Sequence, residues 1–258
     1  MDLLIAIPVF NEENNVLDVI ESLPKSFAGI QACRVLVVDD GSSDDTLLQI
    51  STTDVEVISH GSNLGLGFAF NSAKKYFLDN DFDILVTIDG DGQFDPQDIE
   101  YLLRPLLNKS CDVCLGSRFE QERPTEMSYI KYFGNRIYAR LISLLTKGSI
   151  KDASCGFRAY SRKSLMNLSL VFRFTYTHAT LLELLYKNFK HCEIPISVKY
   201  FKTRQSHLTG NLFKYGFETV FIISKVVLRF RPKLYYSILG LVTMIIIFMW
   251  QYYTELPL

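Results

Sequence analysis

The 258-residue sequence has no excess of either charge, since 27 Lys and Arg residues stand against 28 Asp and Glu residues. This balance gives no indication of a nucleic-acid partner. The sequence also lacks a G-x-x-x-x-G-K-S/T motif, which argues against a P-loop nucleotide hydrolase. Its length allows one α/β domain with a full core and an appendage, but not two large domains.

Cysteine is scarce, with five residues in the whole chain. Cys111 and Cys114 form a C-x-x-C pair, but a zinc site would need a second pair or nearby histidines. The chain starts with a strand-like segment and has no secretory signal peptide, so we expect a cytosolic setting. An odd number of cysteines then predicts reduced thiols, mostly buried in strands.

The longest stretch without charge lies near the C-terminus and includes Leu234 to Tyr253. It approaches the roughly 20 residues that a helix needs to cross a bilayer. Basic residues precede it at 229, 231 and 233, and only Glu255 follows it. The positive-inside rule therefore places the N-terminal part of the chain in the cytoplasm. The alternative, a buried core helix, fits the length and position of the stretch less well.

The segment before this span has the pattern of an amphipathic helix. Its charged residues fall close to one helical stripe, at Lys214, Glu218, Lys225 and Arg229. Apolar residues cover the rest, so we expect a helix on the membrane surface, with an ordinary core-covering helix as the alternative. The predicted organisation is a catalytic domain at 1–210, a juxtamembrane helix at 211–233 and a transmembrane helix at 234–253.

Five short apolar runs are predicted as strands: Leu3–Pro8, Arg34–Asp39, Val55–Ser59, Ile84–Asp89 and Val113–Ser117. Continuous apolarity is typical of strands covered on both faces, and helical patterns separate these runs. The sequence thus predicts an α/β fold with a doubly wound, mostly parallel sheet. A long helix around Met127–Thr146 and further strands at Gly156–Tyr160 and Glu193–Tyr200 should shape an acceptor side.

Ligands of such sheets bind beyond the carboxyl ends of the strands, and polar residues concentrate there in this sequence. Asp89-Gly90-Asp91-Gly92-Gln93 follows the fourth run directly. Two carboxylates one residue apart at the end of a buried strand suit Mg²⁺ or Mn²⁺, which also use substrate phosphates as ligands. Because Asp and Gly are also common in turns, the strand that precedes them is what favours a metal site.

Two more polar turns follow the second and third runs. Asp39-Asp40-Gly41-Ser42-Ser43-Asp44 has one more acid than a helix cap requires, so we expect Asp39 or Asp40 to contact a ribose or base. Asn63-Leu64-Gly65-Leu66-Gly67 precedes a predicted helix whose first amides are suited to a diphosphate. Each turn alone is weak evidence.

Five motifs in this order resemble the family 2 glycosyltransferases, which have a GT-A fold: Ile7–Glu12, Val38–Thr46, Asn63–Gly65, Asp89–Gln93 and Gly116–Arg118. Within that family, Asp152–Tyr160 and Thr203–Ser206 resemble the polyprenyl-phosphate branch, typified by dolichol-phosphate mannose synthase. The resemblance implies a metal-dependent hexosyltransferase on the cytoplasmic face of a membrane. Its partners would be a nucleotide diphosphate sugar of the GDP-mannose or UDP-glucose type, a polyprenyl phosphate (dolichyl or undecaprenyl) and possible membrane-protein partners at the span.

The resemblance also implies roles for individual residues. The nucleotide sugar would be bound by Pro8, Phe10, Glu12, Asp39, Asp40, Asn63, Gly65, Asp89, Gly90, Arg204 and His207. Asp91 and Gln93 would hold Mg²⁺ or Mn²⁺, and Arg118, Ser154 and Arg158 would bind the lipid phosphate. Asp89, Asp91, Arg118 and Arg158 would be the catalytic residues. For each arginine, a surface salt bridge is the alternative interpretation.

The sequence departs from the family pattern at two places. His207 stands where relatives commonly have a lysine, and a histidine is only partly charged near neutral pH. The segment Thr175–Thr180 has no acid where many family 2 enzymes place a catalytic base, and Glu183 is the first to follow. A hydroxyl acceptor needs such a base, whereas a lipid phosphate arrives deprotonated.

The missing base favours direct attack by a lipid phosphate with inversion at the anomeric carbon. Transfer to a lipid or saccharide hydroxyl is the enzymatic alternative, and a catalytically silent membrane module that binds nucleotide sugars is the non-enzymatic one. A sugar nucleotidyltransferase is disfavoured, because the loop after the first strand is acidic and lacks glycine.

Overall fold

The computed structural model describes residues 1–119, 123–124, 127–146, 148–169, 172–200 and 212–254, without the side chains of 212–214 and 251–254. The chain forms two compact units, Met1–Gly210 and Asn211–Leu258, which are described here one at a time. Arg204 and His207 lie outside the described residues. Their predicted contacts with the diphosphate stay predictions.

The first unit is built on a seven-stranded sheet with the order β3-β2-β1-β4-β6-β5-β7. Its strands are β1 (Asp2–Val9), β2 (Ala32–Asp39), β3 (Glu56–Ser59), β4 (Ile84–Thr87), β5 (Val113–Ser117), β6 (Arg158–Ser161) and β7 (His191–Pro195). Neighbouring strands are parallel except at β6, which lies antiparallel between β4 and β5. The predicted α/β class with a mostly parallel sheet is confirmed.

Helices connect the strands in the order α1 (Val16–Glu21), α2 (Thr46–Ile50), α3 (Leu66–Asp79), α4 (Ile99–Leu107), α5 (Tyr129–Thr146), α6 (Arg162–Met166) and α7 (Thr177–Tyr186). A 3₁₀ turn, Pro96–Asp98, leads into α4. Asp95 caps its N-terminal end, because the Asp95 side chain accepts a hydrogen bond from the Gln97 amide. This is the capping that an Asp before a first-turn proline provides.

The core lies where α1 and α4 cover β1 and β4. Ile5, Val86 and Leu102 are fully buried there, as are most of their apolar neighbours. Burying one such side chain contributes about 1.5–3 kcal/mol, so the central strands are the rigid part of the unit. The loops that follow β1 and β4 therefore start from fixed positions.

Cys111 and Cys192 form a disulfide between the segment before β5 and β7, with their Cα atoms 6.1 Å apart. This corrects the prediction that all five cysteines are reduced thiols. The spacing could not show it, because the two residues lie 81 positions apart and meet only when β5 pairs with β7. Cys114 and Cys155 are buried free thiols, as predicted.

The second unit contains two helices, α8 (Leu212–Phe230) and α9 (Pro232–Thr254). The stretch Pro232–Trp250 of α9 has a mean hydropathy of 1.7 and no buried residue. At 1.5 Å per residue, the 23 residues of the whole helix α9 extend over roughly 35 Å, enough to cross a hydrocarbon core of about 30 Å. The described residues thus include one candidate membrane span where the sequence predicts it.

Candidate functional site

The loops after β1 and β2 are held together by side-chain hydrogen bonds. The Asn11 amide donates to Ser42 Oγ at 2.9 Å, and the Ser43 amide donates to Asn11 Oδ1 at 2.8 Å. The Glu12 amide donates to Thr46 Oγ1 at 2.8 Å, and Asn11 has a positive φ of 56°. These bonds fix the turn that follows Pro8 and Phe10, so this wall of the site is rigid.

Asp39 and Asp40 are both buried at the end of β2. Asp39 accepts hydrogen bonds from the Ser42 amide at 3.0 Å and from Ser59 Oγ at 2.7 Å. Asp40 accepts from the Leu64 amide at 3.0 Å and from the Gly65 amide at 2.7 Å. The structure therefore uses both carboxylates to join neighbouring loops and does not decide which of them contacts a nucleotide.

The first amides of α3 are not open to a diphosphate in this structure. The Gly67 amide donates to the Arg173 carbonyl at 3.1 Å, and Arg173 donates in turn to the Asn63 carbonyl at 3.1 Å. A Cβ at Gly67 would lie 1.5 Å from the Phe172 carbonyl oxygen. The segment before α7 thus lies directly on this turn. The predicted binding of the nucleotide sugar by Asn63 and Gly65 stays a prediction.

The turn after β4 brings Asp89, Asp91 and Gln93 to the edge of the sheet. A Cβ at Gly90 would lie 2.5 Å from Val9 Cγ1, so only glycine lets this turn pass against the end of β1. Asp91 Oδ1 accepts a hydrogen bond from the Gln93 amide at 3.0 Å, and Gly92 has a φ of +71°. This local bond reverses the chain, as Asp side chains commonly do in turns.

A cleft of about 300 Å³ opens beside this turn. Its lining comes from α1, the turn itself and the segment after β7: Asn15, Asp18, Val19, Ser22, Gly92, Gln93, Phe94, Asp95, Pro96, Ser197 and Lys199. The Gln93 carbonyl accepts a hydrogen bond from the Lys199 amide at 2.8 Å, which ties the turn to that segment. No motif in the sequence predicted that α1 contributes to this wall.

The donor set of this turn fits a divalent cation only if a substrate completes it. Within the described residues, no group of three or more His, Cys, Asp or Glu side chains is close enough to hold a metal. Asp91, Gln93 and Asp89 offer carboxylate and amide oxygens, which suit Mg²⁺ or Mn²⁺. These ions commonly take one or two carboxylates, with phosphate oxygens and waters as the other ligands.

Asp89 lies against the loop that precedes β6. A Cβ at Gly156 would lie 3.0 Å from Asp89 Oδ1 and 3.3 Å from Asp89 Oδ2. Thr87 Oγ1 and the Tyr176 hydroxyl both donate to the Gly156 carbonyl, at 2.7 Å and 3.0 Å. Gly156 is therefore held where the predicted nucleotide side meets the predicted acceptor side.

Arg118, at the end of β5, is fixed by a buried carboxylate. Its Nε and Nη2 donate to the two oxygens of Asp152 at 2.6 Å and 2.8 Å, a bidentate pair. Nη2 also donates to Ser154 Oγ at 2.7 Å, and Nη1 donates to the Tyr200 hydroxyl at 3.3 Å. Asp152 keeps the pKa of Arg118 above its usual value despite burial, so the guanidinium stays charged. The structure thus brings Arg118 and Ser154 together.

Arg158 does not join them at an accessible surface. It is fully buried, and its guanidinium donates to the carbonyls of Cys155 at 2.8 Å, Ala153 at 2.7 Å and Thr177 at 2.7 Å. This geometry does not support direct contact between Arg158 and a lipid phosphate. Since its bonds join the 153–155 loop to the start of α7, we reassign it as a positioning residue for Ser154.

The start of α7 offers no base. His178 is fully buried against the Tyr138 ring, and burial together with the charge of Arg158 lowers its pKa to about 3. Glu183 is also buried, and it accepts hydrogen bonds from the Ser169 amide at 2.9 Å and from Lys187 Nζ at 2.6 Å. Neither side chain is placed to take a proton from a substrate hydroxyl.

Asp152 and Gly156 belong to the motif Asp152–Tyr160, which assigned them no role, and no motif includes Asn135 or Tyr200. Asp152 is the residue that orients Arg118, and Asn135 accepts a hydrogen bond from Ser154 Oγ at 2.8 Å. For Asp152, the signal in the sequence was an isolated acidic residue two positions before Ser154. Asn135 and Tyr200 gave no signal, because their positions depend on how α5 and the segment after β7 pack.

The chain matches the model of the family described as glycosyl transferase family 2 over residues 4–169. One relative, a UDP-N-acetylglucosamine–dolichyl-phosphate N-acetylglucosaminyltransferase of Methanococcus voltae, is 29% identical over 63% of this chain and 70% of its own length. Another, an undecaprenyl-phosphate mannosyltransferase of Micrococcus luteus, is 30% identical over 66% of this chain and 70% of its own.

Among solved structures, glucosyl-3-phosphoglycerate synthase of Mycobacterium tuberculosis, crystallised with Mn²⁺, UDP and phosphoglyceric acid, has a TM-score of 0.67 at 19% identity. The alignment covers 87% of this chain and 78% of that one. This likeness shows a GT-A-like fold. Because the family model matches most of the first unit, from β1 to the end of α6, the chain is a glycosyltransferase that belongs to family 2.

Proposed function

We propose that this glycosyltransferase moves a hexose from a nucleoside diphosphate sugar to a polyprenyl phosphate, on the cytoplasmic face of a membrane. One observation carries the proposal: the acceptor side has a fixed, charged guanidinium at Arg118 and no base at the start of α7. A phosphate acceptor needs a cation that binds it. It needs no base, because the phosphate is already ionised. The two named relatives that act on dolichyl and undecaprenyl phosphate support the same acceptor class.

On the acceptor side, Arg118 and Ser154 hold the lipid phosphate. Asp152 takes two of the five guanidinium N–H groups and so fixes the plane of the fork. The edge at Nη1, beside the Tyr200 hydroxyl, is the part with which a phosphate oxygen pairs. Asn135 and Arg158 keep Ser154 in place from the other side.

On the donor side, Pro8, Phe10, Glu12 and one of Asp39 and Asp40 form the nucleotide pocket, with Asp89 and Gly90 along the diphosphate. Asp91 and Gln93 would hold Mg²⁺ or Mn²⁺, and a divalent cation bound there would supply positive charge next to the diphosphate. The crystal structure of the mycobacterial neighbour, with Mn²⁺ and UDP, supports this cofactor class. Arg204 is proposed to stabilise the same leaving group.

The reaction is an in-line displacement with inversion. A phosphate oxygen of the lipid forms the new bond to the anomeric carbon while the bond from that carbon to the nucleoside diphosphate breaks. No proton has to be removed from the acceptor, because the phosphate is already ionised. The enzyme's contribution is to align the two charged groups, which is worth several orders of magnitude in rate.

The test is a panel of nucleotide sugars incubated with membranes that contain the full chain and with short polyprenyl phosphates, with products identified by mass. We expect a product in which the hexose is linked to phosphate and released by mild acid. A sugar linked to a lipid or saccharide hydroxyl would contradict the acceptor assignment. No transfer from any donor would favour a silent binding module.

A further inference from the structure

His60 links the ends of β2 and β3 to helix α3. Its Nδ1 lies 2.8 Å from Asp40 Oδ1, and its Nε2 lies 2.9 Å from Ser72 Oγ. The side chains of His60 and Asp40 are only 9% and 6% exposed, so these hydrogen bonds are stronger than they would be in water. Neither His60 nor Ser72 belongs to any of the sequence motifs.

The two partners determine where the imidazole ring of His60 carries its proton. An ionised carboxylate only accepts hydrogen bonds, so Nδ1 donates to Asp40. In the neutral ring, Nε2 then accepts a hydrogen bond from the Ser72 hydroxyl. Because the bond made by one ring nitrogen sets the role of the other, Ser72 holds the ring in the tautomer that suits Asp40.

Asp40 connects this ring to the turn before α3. Its Oδ1 also accepts a hydrogen bond from the Leu64 amide at 3.0 Å, and its Oδ2 accepts one from the Gly65 amide at 2.7 Å. The ring and the Leu64 amide share Oδ1, so a movement of the ring changes how the carboxylate meets both amides. Gly65 has a φ of +101°, which glycine adopts readily, and the two bonds to Asp40 stabilise this conformation.

The turn is closely packed on two sides. A Cβ at Gly41 would lie 2.4 Å from the Ser62 carbonyl carbon, so the loop after β2 lies directly against the turn. A Cβ at Gly65 would lie 2.3 Å from the Arg173 carbonyl oxygen, so the segment before α7 lies against its other side. Closely packed backbone transmits small displacements, and the Asp40 carboxylate and the turn must therefore move together.

A carboxylate, an imidazole and a hydroxyl in this order also resemble the triad of a serine hydrolase. Ser72, however, lies in the second turn of α3, where backbone amides donate to carbonyls of the same helix. The helix therefore offers no N–H groups that could stabilise an oxyanion beside Ser72. A role in positioning fits the three residues better than a role as nucleophile and base.

We propose that His60 is a positioning residue for the nucleotide sugar. Its ring, oriented by Ser72, holds the Asp40 carboxylate and the 63–65 turn in the arrangement that binds the nucleotide. The proposal rests on the proposed function in that the loops after β2 and β3 line the nucleotide pocket, but it does not depend on the acceptor. Apparent affinity falls with the fraction of molecules in the binding arrangement, so loss of the His60 bond should weaken nucleotide binding.

Two substitutions of His60 separate its two hydrogen bonds. His60→Asn keeps an N–H group near the position of Nδ1, whereas His60→Gln keeps one near the position of Nε2. Titration calorimetry of the full chain in detergent, with Mn²⁺ and either GDP or UDP, measures affinity without requiring transfer. For the nucleotide that the wild type binds more tightly, we expect the Kd to rise about tenfold in His60→Gln and less than about threefold in His60→Asn. The KM for polyprenyl phosphate should not change.

His191→Gln is the matched control. His191 lies on β7, where its Nε2 is 3.5 Å from the Ser149 carbonyl oxygen, and it has no part in the proposed site. This variant should bind the nucleotide as tightly as the wild type.

Ser72→Ala tests the orientation of the ring in a variant that keeps the fold. Alanine is the best helix former, so the substitution does not weaken α3. The ring loses its partner at Nε2 but keeps Asp40, and we expect the Kd for the nucleotide to rise about threefold, as for the loss of one neutral hydrogen bond. Ser224→Ala removes a hydroxyl that bonds the Phe221 carbonyl on α8 and should leave the affinity unchanged.

Two outcomes would overturn the role of His60. Wild-type affinity in both His60→Gln and Ser72→Ala would mean that nucleotide binding does not depend on the ring. Equal weakening in His60→Asn and His60→Gln, with an equal loss of thermal stability, would mean that the ring only fills space. Either result in a preparation that glycosylates polyprenyl phosphate would refute the role of His60 alone. The expected pattern of affinities without any transfer to polyprenyl phosphate would refute the proposed acceptor alone.

Discussion

At the scale of single residues, Gly156 lies close against the Asp89 carboxylate. Gly156→Ala places a methyl group 3.0 Å from Asp89 Oδ1, so the carboxylate has to move by a few tenths of an ångström. We expect kcat/KM to fall roughly tenfold or more, because small displacements in an active site are costly. Gly61→Ala, with nothing within 4 Å, is the control and should be silent. Equal activity of the two variants would mean that the reaction does not depend on the exact position of the Asp89 carboxylate.

Asp91 and Asp95 give a matched pair for the metal assignment. Both carboxylates accept a hydrogen bond from the amide two residues later, at 3.0 Å and 2.9 Å. Asp91→Asn should lower metal-dependent transfer about 100-fold or more, since the charge of a bound cation is worth several kcal/mol. Asp95→Asn should keep the activity. Transfer rates measured as a function of Mn²⁺ concentration test whether Asp91 binds the metal. An Asp91→Asn enzyme with the wild-type rate and the wild-type Mn²⁺ dependence would refute the assignment.

Arg118 is best tested by a substitution that keeps its charge. Arg118→Lys leaves a cation near the buried Asp152 but loses the bidentate fork. We expect the KM for polyprenyl phosphate to rise about tenfold, the equivalent of one charge-assisted hydrogen bond, with the KM for the nucleotide sugar unchanged. If both KM values rose together, Arg118 would act on the architecture of the site rather than on the acceptor.

At the scale of elements, α7 makes stability depend on pH through His178. Its pKa falls from 6.5 to about 3 because the ring is buried and lies near Arg158. Below pH 6.5 the unfolded chain binds a proton that the folded chain does not bind, so stability is lost as the pH falls from 6.5 towards 3. Between pH 6.5 and 5.5 the loss is about 1 kcal/mol.

Replacing His178 tests this contribution. His178→Phe keeps an aromatic ring against Tyr138 and removes the titrating group. Denaturant unfolding of the two proteins at pH 6.5 and 5.5 should show a pH effect that is smaller by about 1 kcal/mol in the variant. An identical pH effect in both proteins would mean that folding does not shift the pKa of His178.

The elements themselves could be predicted from the sequence to different degrees. The pattern predicted Val113–Ser117 with its observed bounds and Ile84–Asp89 to within two residues, because buried parallel strands are continuously apolar. The direction of β6 could not be predicted, since apolarity does not specify whether a strand runs parallel to its neighbours. The predicted strand Glu193–Tyr200 instead ends at Pro195, and Val198 then pairs with Phe94 as an isolated bridge.

The candidate site was predicted less completely than the fold. The turns that contain Asp39, Asp40 and Asp89 were placed at the sheet edge because each follows an apolar strand. The burial of Arg158 was not predicted, because a basic residue in a short motif gives no indication of how deeply its side chain is buried. Its depth follows from the carbonyls of Ala153, Cys155 and Thr177, which converge only in the folded chain.

At the scale of the whole molecule, two features favour opposite sides of the membrane for the first unit. The basic residues before α9 favour the cytoplasm, whereas disulfides such as Cys111–Cys192 persist mainly in oxidising compartments. Labelling with a membrane-impermeant maleimide decides between them. Burial raises the pKa of the free thiols of Cys33, Cys114 and Cys155 to about 11, 12 and 12, so these thiols react slowly.

We expect Leu48→Cys to be labelled in inside-out vesicles and not in right-side-out vesicles. Glu255→Cys, which follows the predicted span in the sequence, should show the opposite pattern and serves as the control. The reverse result for both cysteines would place the first unit outside the cytoplasm and contradict the proposed orientation.

The single antiparallel strand has a consequence for how this enzyme can change. Because β6 runs against β4 and β5, its first residues lie at the edge where theirs end, and the 152–156 loop enters the site from the opposite chain direction. Under the proposed roles, the turns after β1, β2 and β4 serve the donor, while the loop before β6 and the end of β5 serve the acceptor. The residues that determine donor specificity and those that determine acceptor specificity thus lie in separate stretches of sequence. Substitutions in one stretch can therefore change the acceptor lipid while the sugar donor is retained.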